Sequence, residues 1–136
     1  MRGHATFLFL LLALALPAKG DDAWDAVSGA QGVYEGRAMS GGVFVPVQTR
    51  LTARADGTLG GSYSFLQDGK THHGTLLRGR ATGPTRLVFI WHDDWGFGTL
   101  SLDFEPDFSG FVGAWGPLDD GALALPWIGV RLPDRL

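Results

Sequence analysis

The densest group of side chains able to do chemistry is Trp91-His92-Asp93-Asp94-Trp95. An imidazole and two carboxylates in succession have the donor types for a divalent cation, and His92 with an aspartate has the types for acid and base work. The same residues also make an ordinary solvated turn, because aspartate favours turns through its own local hydrogen bonds. That second reading is the simpler one. It makes His92, Asp93, Asp94 and Trp95 a candidate interaction loop at a hairpin tip, with the indoles capping one end of the fold, and it assigns no metal.

His72-His73 is the next candidate. Adjacent residues of a strand face opposite sides, so the two imidazoles cannot share one metal without a bulge. Phase with Thr75 and Leu77 turns His73 inward. Ser62, Ser64, Ser101 and Ser109 fall in strand-like runs, and none has the Gly-x-Ser-x-Gly context of a nucleophile elbow. Gly60-Gly61-Ser62 lacks phosphate-loop spacing. Carboxylates such as Asp68, Glu105, Asp107, Asp119 and Asp120 sit mostly at turns, where surface charge is a simpler reading than a glycosidase pair. Cysteine is absent, which removes thiol nucleophiles and thiolate metal sites. No catalytic residue, metal or cofactor is assigned, and binding without turnover is the expectation.

What remains is a set of inward-phase residues. Tyr63, His73, Thr49 and Thr75 would be polar groups among Val, Leu and Phe, with Trp91 and Trp115 beside them. A mostly apolar cavity with a few polar anchors suits a small molecule. Tyr63, His73, Trp91 and Trp115 are therefore the candidate ligand-binding residues. The competing reading is a filled core in which the tyrosine hydroxyl and indole N–H groups find ordinary partners.

Positioning these residues falls to strands. Residues 43–55 alternate cleanly: Val43, Val45, Val47, Thr49, Leu51 and Ala53 on one face, Gln48, Arg50, Thr52 and Arg54 on the other. A period of two with unlike sides is a half-buried strand. Pro46 falls on the outward side near one end, where a missing donor is tolerated. Similar runs occur at 32–38, 58–66, 71–82, 86–92, 96–105, 108–115 and 127–132. The run 86–92 is continuously apolar, which predicts cover on both faces. Turn signals separate the runs, with Asp56-Gly57 the strongest. A loop at 116–126 is the longest break and carries Leu118, Ala122, Leu123, Ala124 and Leu125. Arg50, Arg54, Arg78, Arg80 and Arg86 fall outward or at strand ends, as solvated charge.

The expected fold is all-β: an antiparallel up-and-down meander of about eight strands, closed into a small barrel. Closure removes exposed edges, and glycines inside the runs suit its sharp bends. A two-sheet sandwich is the alternative and would need longer crossing connections. The aromatic-x-Gly repeats Tyr34-Glu35-Gly36, Phe108-Ser109-Gly110, Phe111-Val112-Gly113 and Trp127-Ile128-Gly129, and the stretch from Asp56 to Tyr63, resemble small barrels of the avidin and lipocalin (calycin) kind. The resemblance implies a barrel. Gly32-Val33-Tyr34 stands where a lipocalin strand opens on Gly-x-Trp, and no avidin-type biotin ligands can be placed.

The 136-residue sequence is rich in glycine (21) and aromatics (five Trp, two Tyr, nine Phe), the composition of strands and tight turns. Its N-terminus has the anatomy of a secretory signal. Arg2 and His4 precede the apolar run 7–17 (FLFLLLALALP), and Ala18-Lys19-Gly20 ends it with small residues. The run is short of the roughly 20 apolar residues of a membrane span. The expected organisation is a signal peptide at 1–20, an arm or helical turn at 21–31, and a barrel at 32–136. The expected location is periplasmic or secreted, with no membrane anchor after cleavage. Removing the signal leaves nine basic and fourteen acidic residues. That balance argues against nucleic acid as partner. The expected partner is a small apolar or amphipathic ligand. The alternatives are an envelope protein bound through the loops, as a structural or inhibitor protein, and a small hydrolase.

Overall fold

The computed structural model describes residues 26–118 and 125–134. Eight strands follow one another: β1 (Gly32–Ser40), β2 (Val43–Ala53), β3 (Leu59–Gln67), β4 (Lys70–Ala81), β5 (Arg86–Asp93), β6 (Gly96–Phe104), β7 (Gly110–Pro117) and β8 (Leu125–Arg131). Each pairs antiparallel with its sequence neighbour, and β8 returns to β1 to close a barrel. The expected meander is thus the fold, and the sandwich is excluded.

Alternation in sequence explains the inside and the outside. Along β2, Val45, Val47, Thr49 and Leu51 are buried while Pro46, Gln48, Arg50 and Thr52 are exposed. The apolar side faces inward, the reverse of a membrane-spanning barrel, whose outer band is apolar. In β5, Leu87, Phe89 and Trp91 point inward, while Val88 and Ile90 are half-exposed. The continuous apolar run is therefore covered on one face only, a correction to the expectation for 86–92. Among the described residues no element lies over the outer face of this one-layer barrel.

The turn at Asp56-Gly57 differs from expectation. The two-residue hairpin turns with positive φ at both residues are Gly41-Gly42 (59° and 80°) and Asp68-Gly69 (54° and 73°), as turns of matching twist require. Asp56-Gly57 belongs instead to a longer loop between β2 and β3. There the Asp56 carboxylate accepts from the Thr58 N–H (3.0 Å) and hydroxyl (2.6 Å), which pulls its pKa below the ordinary range.

A bulge at Arg78, whose φ is 54°, interrupts β4. Pairing with β5 jumps from Leu77↔Ile90 to Arg80↔Val88, giving β4 one extra residue. Leu77, Arg78 and Arg80 consequently all face outward, with Leu76 and Gly79 inward.

The two barrel ends differ. One is plugged. A helical turn at residues 26–29 lays Ala26, Val27 and Ala30 against the interior. Tyr34, fully buried, donates its hydroxyl to the Ala30 carbonyl (2.8 Å) and packs edge-on against Phe104. The Arg131 guanidinium crosses the Tyr34 ring at 5.2 Å. It donates to the Tyr34 hydroxyl (2.8 Å), to the Phe108 carbonyl (2.9 Å) and to the Gly29 carbonyl. Leu59, Leu87, Phe89, Leu100 and Leu102 are fully buried in the interior above the plug. The opposite end carries the turns after β1, β3 and β5, and here the interior is not filled.

Candidate functional site

Every inward strand at the turn-bearing end delivers a large ring or a small residue, and the difference between them leaves a hollow. β3 delivers Tyr63 and Phe65, β5 Trp91 and Asp93, β7 Trp115 and β8 Trp127, while β1 and β2 deliver Ala38, Met39, Ser40, Val45 and Val47. Together with Trp95 from the β5–β6 turn they line a cavity of about 80 Å³. Glycines make room for the rings. A Cβ at Gly74 would sit 2.0 Å from Tyr63 Cζ, and one at Gly98 would sit 2.8 Å from Trp91 Nε1. The bulk of Tyr63 and Trp91 is therefore matched by missing bulk on β4 and β6.

The buried polar side-chain atoms around the cup are already paired. Trp91 Nε1 donates to the Gly116 carbonyl (3.1 Å), Trp115 Nε1 to the Met39 carbonyl (3.0 Å) and Trp127 Nε1 to Thr49 Oγ1 (3.1 Å). Ser40 Oγ donates to Gln67 Oε1 (2.7 Å). The Tyr63 hydroxyl donates to Asp93 Oδ2 (2.7 Å) while Asp93 Oδ1 accepts the Trp95 N–H (2.8 Å). Among the described residues no buried side-chain polar atom lacks a partner. What the indoles of Trp91, Trp115 and Trp127 leave toward the hollow is ring carbon.

Burial, and then the hydrogen bond and negative charge of Asp93, push the Tyr63 phenol far above its ordinary pKa. It stays a donor at any physiological pH, unsuited to trading protons. Asp93 is the only charged residue among the lining residues, and the one ion pair among the described residues, Arg86 with Asp103, lies elsewhere on the surface. No group of three or more His, Asp or Glu side chains is placed to hold a metal among the described residues.

Two candidate sets read as separate from the sequence meet in this cup. Tyr63, Trp91 and Trp115 line it as expected of an interior set, and Asp93 and Trp95 join them from the turn cluster. His92 and Asp94 do not: both are exposed on the outside of the hairpin. His73 is a correction. It is exposed on the outer face beside Ser64, and so is Thr75. The adjacent leucines Leu76 and Leu77 offered two frames; Leu76 is the inward one, which turns Gly74 and His72 toward the inner side. The His72 ring lies against Phe65 at 5.1 Å and Trp95 at 4.7 Å, beneath the lip of the cup. Phe65 and Trp127 were not among the candidates; their inward phase on β3 and β8 was the available signal.

Around the same end stands a rim of exposed apolar side chains: Val43, Phe44, Leu66, Trp95 (58 % exposed), Phe97 and Leu118. Residues 119–124, most of the apolar loop noted above, lie outside the described residues. Asp68, Lys70 and Asp94 are exposed at this end. Comparison with known proteins finds no matching family model, curated protein or solved structure.

Proposed function

We propose that this chain is an exported, non-catalytic binding protein that holds a small apolar or amphipathic group in its aromatic cup. The observation that carries the reading is the cup itself: a wall of rings in which the indole N–H groups of Trp91, Trp115 and Trp127 are tied internally, so contact with a guest is mainly through apolar surface. Binding pockets for whole drug-sized molecules run to about 300–1,000 Å³. A cavity of about 80 Å³ takes one ring or a short chain instead. The export part of the proposal rests on residues 1–20 and predicts a mature protein that starts near Asp21 in the envelope or medium.

The test is a thermal-shift and tryptophan-fluorescence screen with small aromatics and short alcohols. A ligand at about 100 times its Kd stabilises the fold by roughly 2.7 kcal/mol. Ala38→Leu, which fills the hollow from β1, should abolish that shift while the variant still melts cooperatively. If no ligand class moves the melting temperature of the wild-type protein, the reading fails.

The exposed rim favours a second reading, docking of an envelope protein at the same end. Exposed apolar side chains gathered at one end of a domain suit an interaction site. It predicts that Phe44→Ser and Phe97→Ser together abolish capture of a defined envelope partner and leave small-ligand shifts unchanged.

A further inference from the structure

We propose that the group bound in the cup is a quaternary or fully methylated ammonium. The proposal rests on reading the cup as a binding site and names the chemistry it selects.

Three features of the cup point the same way. First, the walls are ring carbon. Trp91, Trp95, Trp115, Trp127, Tyr63 and Phe65 surround one small space. Trp91 and Trp115 stand at 88° to each other, and Tyr63 stands at 76° to Trp127, so the rings form walls in crossed directions rather than one stack. Such rings attract cations through their quadrupoles, and cages of them are the recurring receptor for quaternary ammonium.

Second, the wall holds one charge, and it is negative. The Asp93 carboxylate takes the Tyr63 hydroxyl and the Trp95 N–H and, among the described residues, has no cationic side chain within salt-bridge distance. A neutral apolar guest would strip water from this carboxylate and return nothing, which is costly. A diffuse cation seated among the rings would return the lost solvation. A primary ammonium would do so less well. It brings three N–H donors, whereas the indoles offer no acceptor and the only side-chain oxygen acceptors of the wall, Ser40, Tyr63 and Asp93, are each already in a hydrogen bond. A quaternary nitrogen has no N–H to satisfy.

Third, the size agrees. One water needs roughly 10–15 Å³ of such space, so a hollow of about 80 Å³ holds roughly five to eight groups of that size. A trimethylammonium with its first methylene has five heavy atoms. The rest of the ligand would leave through the apolar rim, so the same head could arrive free in solution or on a lipid.

The experiment compares choline with 3,3-dimethylbutan-1-ol, its neutral isostere, by calorimetric titration of the wild-type protein. Choline should bind at least ten-fold tighter. Asp93→Asn keeps the side-chain shape and removes the charge, and should erase most of that preference. A flotation assay with phosphatidylcholine vesicles, with and without excess choline, assigns the source. Flotation that choline competes away means a lipid head, and titration without flotation means a free ligand. Equal affinity for choline and the isostere overturns the ammonium proposal and leaves the cup as an apolar site. Absence of binding by both overturns the ammonium proposal and, if the wider screen is also silent, the binding reading beneath it.

Discussion

Raising the pH from 9 to 11 should destabilise this barrel by way of Tyr63. The chain has two tyrosines, Tyr34 and Tyr63, and both are buried. Burial lifts both phenols above their ordinary value; at Tyr63 the carboxylate of Asp93 lifts further, whereas at Tyr34 the Arg131 guanidinium opposes the rise. In the unfolded chain a tyrosine loses its proton near pH 10. Below that pH both states hold the proton and the stability is intact. Above it the unfolded chain alone gives up the proton, so stability falls as pH climbs toward the folded-state value. At pH 11 the loss through Tyr63 is about 1.4 kcal/mol. For a domain of this size that lowers Tm by about 5–10 °C, and Tyr34 adds in the same direction. Few other groups interfere: cysteine is absent and Lys70 is the only lysine among the described residues. The assay is thermal melting by circular dichroism at each pH, with phenolate absorbance near 295 nm recorded on the folded protein. Tyr63→Phe is the control. It should cost about 1.5–3 kcal/mol at neutral pH, as loss of a hydrogen bond to a charged acceptor. It should also flatten the alkaline decline by about 1.4 kcal/mol. Two phenols titrating near pH 10 in the intact fold, or an unchanged slope in Tyr63→Phe, would refute the reasoning.

Further perturbations separate the two ends of the barrel. Thr49→Val removes the acceptor of the Trp127 indole and strands a buried N–H, so denaturant titration should show a loss of about 1–3 kcal/mol. Arg131→Met removes the guanidinium that ties Tyr34, Phe108 and Gly29 together at the plugged end; it should lower Tm by several degrees and leave ligand affinity at the cup unchanged. Gly74→Ala would set a Cβ 2.0 Å from the Tyr63 ring and push it toward the hollow; it should weaken ligand binding as well as stability, read together in one thermal-shift titration.

Much of the architecture is legible in the chain because strand period and turn residues are local. β2 shows it best, since its burial alternates as its residue types do from Val45 to Thr52. Local signals failed where they were degenerate. Leu76-Leu77 allowed two frames, and with the bulge at Arg78 the choice of Leu77 put His73 on the wrong face. Asp56-Gly57 and Asp68-Gly69 are the same dipeptide, yet only the second is the tight turn; its neighbours Gln67 and Lys70 pair directly, whereas Ala53 and Leu59 set a longer loop. Contacts between distant residues left no mark at all. Nothing near Tyr34 announces Arg131, 97 positions away, and nothing near Tyr63 announces Asp93. That second contact joins the turn cluster to the interior set and makes one cup of two candidates.

The cup is tested most directly by following the indole N–H resonances of a ¹⁵N-labelled protein while choline or a small aromatic is added. Saturable shifts are expected at Trp91, Trp95, Trp115 and Trp127 at one common ligand concentration, with the amides of Tyr34, Phe108 and Arg131 at the plugged end unmoved. Shifts confined to the outer strand faces, or no indole response at saturating ligand, would contradict the cup as a binding site.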